Sequence, residues 1–178
     1  AVDEISQTAT IEAGILGPDL ERELNTRGLT LGHFPQSFEF STLGGWIATR
    51  GAGLMSTGYG KIEAMTQSVR VVTPRGLIET RSVPATAAGS SVLQLMLGSE
   101  GTLGVITRAT MRVRALPKTK KYSAWLFKNF ADGAAAILVE YQAEDAESIS
   151  RFGKEAQNVI KNLKLIHDVE FTDDPVEQ

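Results

Sequence analysis

Cysteine is absent from the 178 residues, which excludes disulfides, thiolate metal sites and a cysteine nucleophile and fits a reducing compartment. Histidine is scarce: His33 and His167 stand far apart with no carboxylate at ligand spacing, so no metal site is expected. No apolar run approaches the ~20 residues that a helix needs to cross a bilayer. No signal-peptide pattern opens the sequence. Neither sign of charge dominates, since 18 Lys and Arg stand against 21 Asp and Glu for a net charge of -3. Nucleic acid is therefore not expected as a partner, because its backbone demands clustered Lys and Arg.

What is present is enough apolar material for a core, and glycine in two dense runs. Hydrophobic residues make up 42% of the chain and the mean hydropathy is -0.07, which suits one ordinary domain or pieces of two. Ser41 to Gly53 reads STLGGWIATRGAG, and Gly98 to Thr107 reads GSEGTLGVIT. Glycine has no Cβ, so its backbone N–H can approach a flat or anionic ligand closely and the chain can turn where φ must be positive. Either run alone also describes a tight turn beside a strand.

The flanking residues read as short, well-marked elements. Thr8 to Ile15 alternates, with Ala9, Ile11, Ala13 and Ile15 on one face, as a half-buried strand does. Pro18 suits a first helical turn, Leu20 and Leu24 share a helix face, and Gly28 suits the left-handed position after the last turn. Gly44 to Gly60 is too rich in Gly, Ser and Thr for a long element; it reads as a ligand-contacting loop with one short helix around Gly45 to Thr49. Pro74, Arg75 and Gly76 separate the apolar strands Ser68 to Thr73 and Leu77 to Arg81, which predicts a hairpin. Ser90 or Ser91 caps a short helix carrying Leu93, Met96 and Leu97, and Gly98 stops it. In the strand that follows, Val105, Thr107, Ala109, Met111 and Val113 are expected to share one face, with Ile106, Arg108, Thr110, Arg112 and Arg114 on the other.

At Pro117 the composition shifts to Lys118, Lys120 and Lys121, a solvated linker into a second unit. Tyr122 to Phe127 and Ile137 to Tyr141 read as strands, and Glu144 to Leu165 as a helix with Ile149, Phe152, Ala156, Ile160 and Leu163 at helical spacing. The acidic tail with Asp168, Glu170, Asp173, Asp174 and Glu177 is expected to fray. Asn129 to Ala136 begins like a helix with Asp132 near its start, yet runs straight into the strand ILVEY, although such a junction normally takes several connecting residues.

Four ordered segments carry a resemblance: GHFPQSFEFSTLGGWIATRGAG at Gly32 to Gly53, YGKIEAM at Tyr59 to Met65, VVTPRG at Val71 to Gly76, and GSEGTLGVIT at Gly98 to Thr107. On these the chain, from Thr8 to Pro117, resembles the FAD-binding domain of the vanillyl-alcohol oxidase (PCMH-type) superfamily. Within it, the chain is most similar to the alkyldihydroxyacetonephosphate synthase (alkylglycerone-phosphate synthase) family. The resemblance implies an α+β fold. Residues 1–117 would be the C-terminal portion, or second subdomain, of an FAD-binding PCMH-type domain, and residues 118–178 part of a ferredoxin-like α+β cap domain that faces substrate. Relatives carry a longer segment at the equivalent of Ala134 to Ile137 and a glycine-rich pyrophosphate loop upstream of Ala1, so further residues are expected at both places.

The same resemblance implies a cofactor, FAD, and places its contacts. Gln36, Ser37, Phe38, Glu39, Phe40, Ser41 and Thr42 match one lining segment, and Thr49, Arg50, Gly51 and Ala52 a second. Glu100, Gly101, Thr102, Leu103, Gly104, Val105 and Ile106 match a third. Many family members have Asp where this chain has Gln36, whose amide still accepts and donates. The hydroxyls of Ser37, Ser41, Thr42, Thr49 and Thr102 can bond phosphate or flavin heteroatoms. Arg50 suits a phosphate or an acidic neighbour equally. Trp46 and Trp125 read as core or interface anchors, and Glu100 as a solvated or backbone-bonded carboxylate.

The family's histidine-rich motif and its substrate-facing Arg and Tyr have no counterpart in this chain, so no catalytic residue is assigned. The implied activity is exchange of the acyl chain of acyl-dihydroxyacetone phosphate for a fatty alcohol in ether lipid synthesis, without net redox change. An FAD-linked oxidase or dehydrogenase of a 2-hydroxy acid such as D-lactate shares the GSEGTLGVIT-type run and stays open as an alternative. So does a non-catalytic piece without its pyrophosphate loop. The implied partners are FAD, a small-molecule or lipid substrate, a second copy in a homodimer, and a membrane surface touched peripherally. The implied location is cytoplasmic in a bacterium and peroxisomal in a eukaryotic ether-lipid enzyme.

Overall fold

The computed structural model describes residues 1–83, 88–130, 133–160 and 170–172. They fall into two units, Ala1–Leu116 and Pro117–Gln178. The first unit opens with β1 (Val2–Asp3), β2 (Thr8–Glu12), α1 (Gly17–Asn25) and β3 (Leu29–Thr30). Pro18 lies in the first turn of α1, Leu20 and Leu24 turn its apolar face inward, and Gly28 follows at φ +67°. Three short helices come next, α2 (Leu43–Thr49), α3 (Ser56–Tyr59) and α4 (Ile62–Met65). The predicted helix near Gly45 is α2. Then follow β4 (Thr66–Thr73), β5 (Gly76–Glu79), α5 (Val92–Met96), β6 (Val105–Arg112) and β7 (Arg114–Ala115). Ser91, rather than Ser90, caps α5: its hydroxyl accepts from Gln94 N.

Five strands form one antiparallel sheet in the order β1-β2-β6-β4-β5, and β3 pairs with β7. The late strand β6 is thus inserted between two earlier ones, β2 and β4. Ala9, Val69, Val71, Ala109 and Met111 lie on the sheet's buried face and cluster with Leu20, Leu43, Ile47 and Ile62 from the helices. Burial of this apolar surface is the main favourable term holding the unit together.

The face assignment of β6 departs from strict alternation. Arg70 pairs with Arg108 but Val71 pairs with Ile106, so Thr107 is an extra residue in β6. Such a bulge turns the residues beyond it to the opposite face. Val105, expected beside Ala109 and Met111, is instead 68% exposed, and Ile106 packs on the core. At the bulge the Thr107 hydroxyl donates to Arg70 O at 3.2 Å, and on the other side the Thr107 carbonyl accepts from Ala13 N at 2.9 Å, continuing the β2–β6 register.

In the second unit, β8 (Thr119–Phe130) and β9 (Gly133–Ala143) pair antiparallel, α6 (Ala146–Ile160) follows, and β10 (Glu170–Thr172) adds to the far side of β8. Three expectations are corrected. Lys120 and Lys121, expected in a linker, belong to β8 and pair with Gln142 and Tyr141. Asn129 to Ala136 does not begin a helix: Phe130 pairs with Gly133, and Ala135 and Ala136 pair with Phe127 and Leu126. Part of the acidic tail is ordered too, since Glu170, Phe171 and Thr172 pair with Ala124, Ser123 and Tyr122. The expected helix from Glu144 begins at Ala146, where the Asp145 carboxylate accepts from Ser148 N and Oγ. Those two bonds lower the Asp145 pKa. Leu163, Leu165, Asp168, Asp173, Asp174 and Glu177 lie outside the described residues, as does the Trp125 side chain.

One buried carboxylate fixes the approach to the region of interest. Glu21 of α1, 6% exposed, accepts from Leu31 N and Gly32 N at 3.0 Å each through one oxygen and from the Thr30 hydroxyl at 2.7 Å through the other. Glu21→Ala leaves the buried Leu31 amide without its acceptor, while Gly32 N keeps the Thr30 hydroxyl oxygen at 3.0 Å, and should cost about 2 kcal/mol, whereas Glu21→Gln keeps a carbonyl oxygen for both amides and should cost about 1 kcal/mol. Denaturant midpoints of the two variants check the order; equal losses would show that the acceptor is not what matters.

Candidate functional site

The first glycine-rich run is folded against the end of β2. Gly44 N donates to Ala13 O at 2.8 Å, Leu43 N to Ile15 O at 3.1 Å, and Gly17 N to Ser41 O at 3.2 Å. The Thr42 hydroxyl oxygen accepts from Gly45 N at 3.3 Å and starts α2 as its N-cap. At the other end, Arg50 takes the left-handed conformation, φ 52°.

The second run closes that helix. Gly98 N donates to Ile47 O and Glu100 N to Ala48 O, both at 3.0 Å. These are carbonyls of the last turn, of which Ile47 O also accepts from Arg50 N at 3.4 Å within the helix end. Gly98 needs its φ of +74° to make this turn, and a Cβ on Gly104 would lie 2.4 Å from Val72 O. The run at residues 98–104 is therefore the C-terminal cap of the helix that the run at residues 41–53 forms.

Between the two runs opens a cleft of about 410 Å³. Ala13, Gly14, Thr42, Gly44, Gly45 and Ala48 line one side, and Glu100, Gly101, Gly104, Val105 and Ile106 the other. Its width depends on missing side chains. A Cβ on Gly14 or Gly101 would meet no heavy atom within 4 Å, and one on Gly45 would meet only the Thr42 hydroxyl at 3.5 Å. Glu100 is the one ionisable residue among those lining it.

The structure thus brings Thr42, Glu100, Gly101, Gly104, Val105 and Ile106 together, out of the residues the sequence singled out. Gln36 to Ser41 form a turn before α2, Thr49 to Ala52 lead away from its far end, and Thr102 and Leu103 sit in the second run, all outside the lining. Several hydroxyls have partners within the chain: Thr49 donates to Gly45 O, Thr102 to Ser99 O, and Ser41 to Ser37 O. Ser37 bonds Ser41 in turn. Thr42 uses its oxygen as an acceptor, which leaves its O–H to donate. Gly44, Gly45 and Ala48 fall within the run read as a ligand-contacting loop, whereas Ala13 and Gly14, read as the end of an alternating strand, were not singled out.

Trp46 is an anchor, as read: it is buried and its indole N–H donates to the Ser41 hydroxyl at 2.6 Å. Arg50 has the acidic neighbour, with Glu63 at 2.9 Å. His33 packs against the Trp46 ring at a centroid distance of 5.0 Å, is 1% exposed, and neither ring nitrogen has a hydrogen-bond partner among the described residues. Burial pushes its pKa down to about 4.

With the cleft described, comparison with known proteins decides the family. The sequence model of the FAD binding domain family matches residues 1–82. The chain carries an FAD-binding domain of the PCMH type, matched over residues 1–82. Alkyldihydroxyacetonephosphate synthase of Dictyostelium discoideum is 49% identical over 136 residues, which cover 76% of this chain and 22% of that protein. A solved alkyldihydroxyacetonephosphate synthase superposes with a TM-score of 0.83 at 29% identity, over 96% of this chain and 40% of the other. D-lactate dehydrogenase of Anaerostipes hadrus is 34% identical over 137 residues, 76% of this chain and 29% of that protein. The chain thus spans about a fifth to a third of the length of these curated relatives.

The buried imidazole of the FAD-binding domain gives a pH dependence whose sign is fixed. The folded-state pKa lies below the unfolded value of 6.5, so the unfolded chain binds the proton more tightly and stability falls as pH drops from about 6.5 to about 4. A shift of this size corresponds to a loss of about 3 kcal/mol. His33→Phe, which has nothing to protonate, should lose less than the wild type between neutral and acid pH in urea unfolding. Parallel losses in the two proteins would show that His33 protonates freely in the folded state.

Proposed function

We propose that the cleft between α2 and residues 100–106 receives part of FAD, and that the protein carrying this domain exchanges the acyl chain of acyl-dihydroxyacetone phosphate for a fatty alcohol. The observation that carries the cofactor assignment is the meeting of the two glycine-rich runs around one cleft, where a Cβ on the lining residues Gly14, Gly45 or Gly101 would meet open space or one ordinary contact. The lining fits an uncharged, flat portion of the cofactor. Its walls are backbone, Ala13, Ala48, Val105 and Ile106, and its single carboxylate, Glu100, is unfavourable for a pyrophosphate. The Thr42 hydroxyl is the side-chain donor turned to this space. When bound, FAD supplies an electron-accepting ring, while the chain supplies orientation and a surface from which water is displaced. The synthase reading is supported by the name of the relative at 49% identity.

Gly45→Leu tests the cleft. Its added Cβ meets only an ordinary contact inside the protein, and leucine is a better helix former than glycine, so the fold should persist while the cleft is filled. The expected result is retained thermal stability with most of the bound flavin lost, read from visible absorbance of the purified full-length protein. Unchanged flavin content would remove the cleft from the cofactor site.

A second reading is kept by the dehydrogenase relative at 34% identity: an FAD-linked oxidation of a 2-hydroxy acid such as D-lactate. The two reactions separate cleanly. A synthase should form an ether product from acyl-dihydroxyacetone phosphate and a long-chain alcohol with no electron acceptor consumed. Flavin bleaching by D-lactate without ether product would assign the oxidation instead.

A further inference from the structure

We infer that Arg50 is a positioning residue that sets the width of the cofactor cleft and is not a phosphate ligand, an inference that rests on the assignment of that cleft to FAD. Four of the five guanidinium N–H groups have acceptors within the chain. Nε donates to Leu97 O at 3.0 Å, one terminal nitrogen to Glu63 Oε2 at 2.9 Å, and the other to Gln94 O at 2.9 Å and Gln94 Oε1 at 3.3 Å. The residue leaves the end of α2, and its acceptors lie on α4 and at the C-terminal end of α5, immediately before Gly98. One planar fork thus ties three helices at the point where the second glycine-rich run begins.

The run itself is shaped around this side chain. A Cβ on Gly98 would lie 2.8 Å from the Arg50 Cγ and Nε, so Gly98 is the residue that lets the arginine pass. One residue row further, Gly98 N and Glu100 N bond the α2 carbonyls of Ile47 and Ala48. Ala48 lines one wall of the cleft and Glu100 the other. Arg50 and Glu63 remain about a third exposed, 38% and 33%, a setting in which an ion pair by itself adds little stability. What the fork supplies is geometry: four acceptors on three residues in fixed directions, which an ammonium on a flexible stem does not reproduce.

The test uses the full-length protein with Arg50→Lys, Arg50→Gln and Glu63→Gln, titrated separately with FAD and with riboflavin, which has no phosphate. A positioning role predicts that Arg50→Lys and Arg50→Gln weaken both ligands by the same factor, roughly tenfold or more. Both should also lose hydrogen-exchange protection at the Gly98 and Glu100 amides. Glu63→Gln, which leaves the arginine charge intact, should weaken both ligands in the same ratio but less. A phosphate ligand predicts the opposite pattern: Arg50→Lys retains FAD, Arg50→Gln loses FAD but not riboflavin, and Glu63→Gln leaves FAD affinity unchanged or tighter. Any of these three would overturn the inference. Failure of the wild type to bind either flavin would sink the cofactor assignment, and unchanged protection at Gly98 and Glu100 in Arg50→Lys would sink the clamp independently.

Discussion

Two backbone hydrogen bonds hold the site together: Gly98 N to Ile47 O and Glu100 N to Ala48 O. A seven-residue helix has few internal bonds and loses most of them at its ends, so α2 is stable only where its termini are satisfied from outside. Thr42 and the end of β2 satisfy the first turn, and a segment about fifty residues later satisfies the last. The cleft is the gap left where these two closures meet without side chains to fill it.

The rest of the first unit serves that arrangement. Placing β6 between β2 and β4 carries the second run from the end of α5 to the edge of β2, where Gly14 and Ala13 wait. The bulge at Thr107 in the β4–β6 pairing sends Ile106 to the core and Val105 outward, while the Thr107 carbonyl still accepts from Ala13 N in the β2–β6 register. Glu21 and the Tyr59 ring, against which Gly32 is packed, set the path of the chain into the turn before α2. His33 is buried behind Trp46 with no hydrogen-bond partner among the described residues, and burial keeps it neutral.

The second unit shows how local pattern misleads. Residues 133–136 read Gly-Ala-Ala-Ala, and alanine is the best helix former available, so Asn129 to Ala136 looks helical in isolation. In the structure the run is the start of β9, because pairing with β8 along its whole length outweighs a propensity of a few tenths of a kcal/mol per residue. Glu170 to Thr172 is strand for the same reason: β8 offers an unpaired edge that the acidic tail's composition does not announce. Nothing within either segment encodes its partner.

The sequence by itself determined what depends on neighbours a few residues apart. Alternation marked β2, Pro18 and Gly28 bounded α1, Pro74 to Gly76 marked the β4–β5 hairpin, and the two glycine-rich runs marked both walls of the cleft. The family was legible for the same reason, as its motifs are contiguous runs. Tertiary structure alone decided which residues of those runs face the cleft, which hydroxyls are already bonded within the chain, and that Arg50 meets Glu63, Gln94 and Leu97. Those outcomes rest on contacts across up to about ninety residues of chain, and on a single extra residue in β6 that inverts the face of everything beyond it.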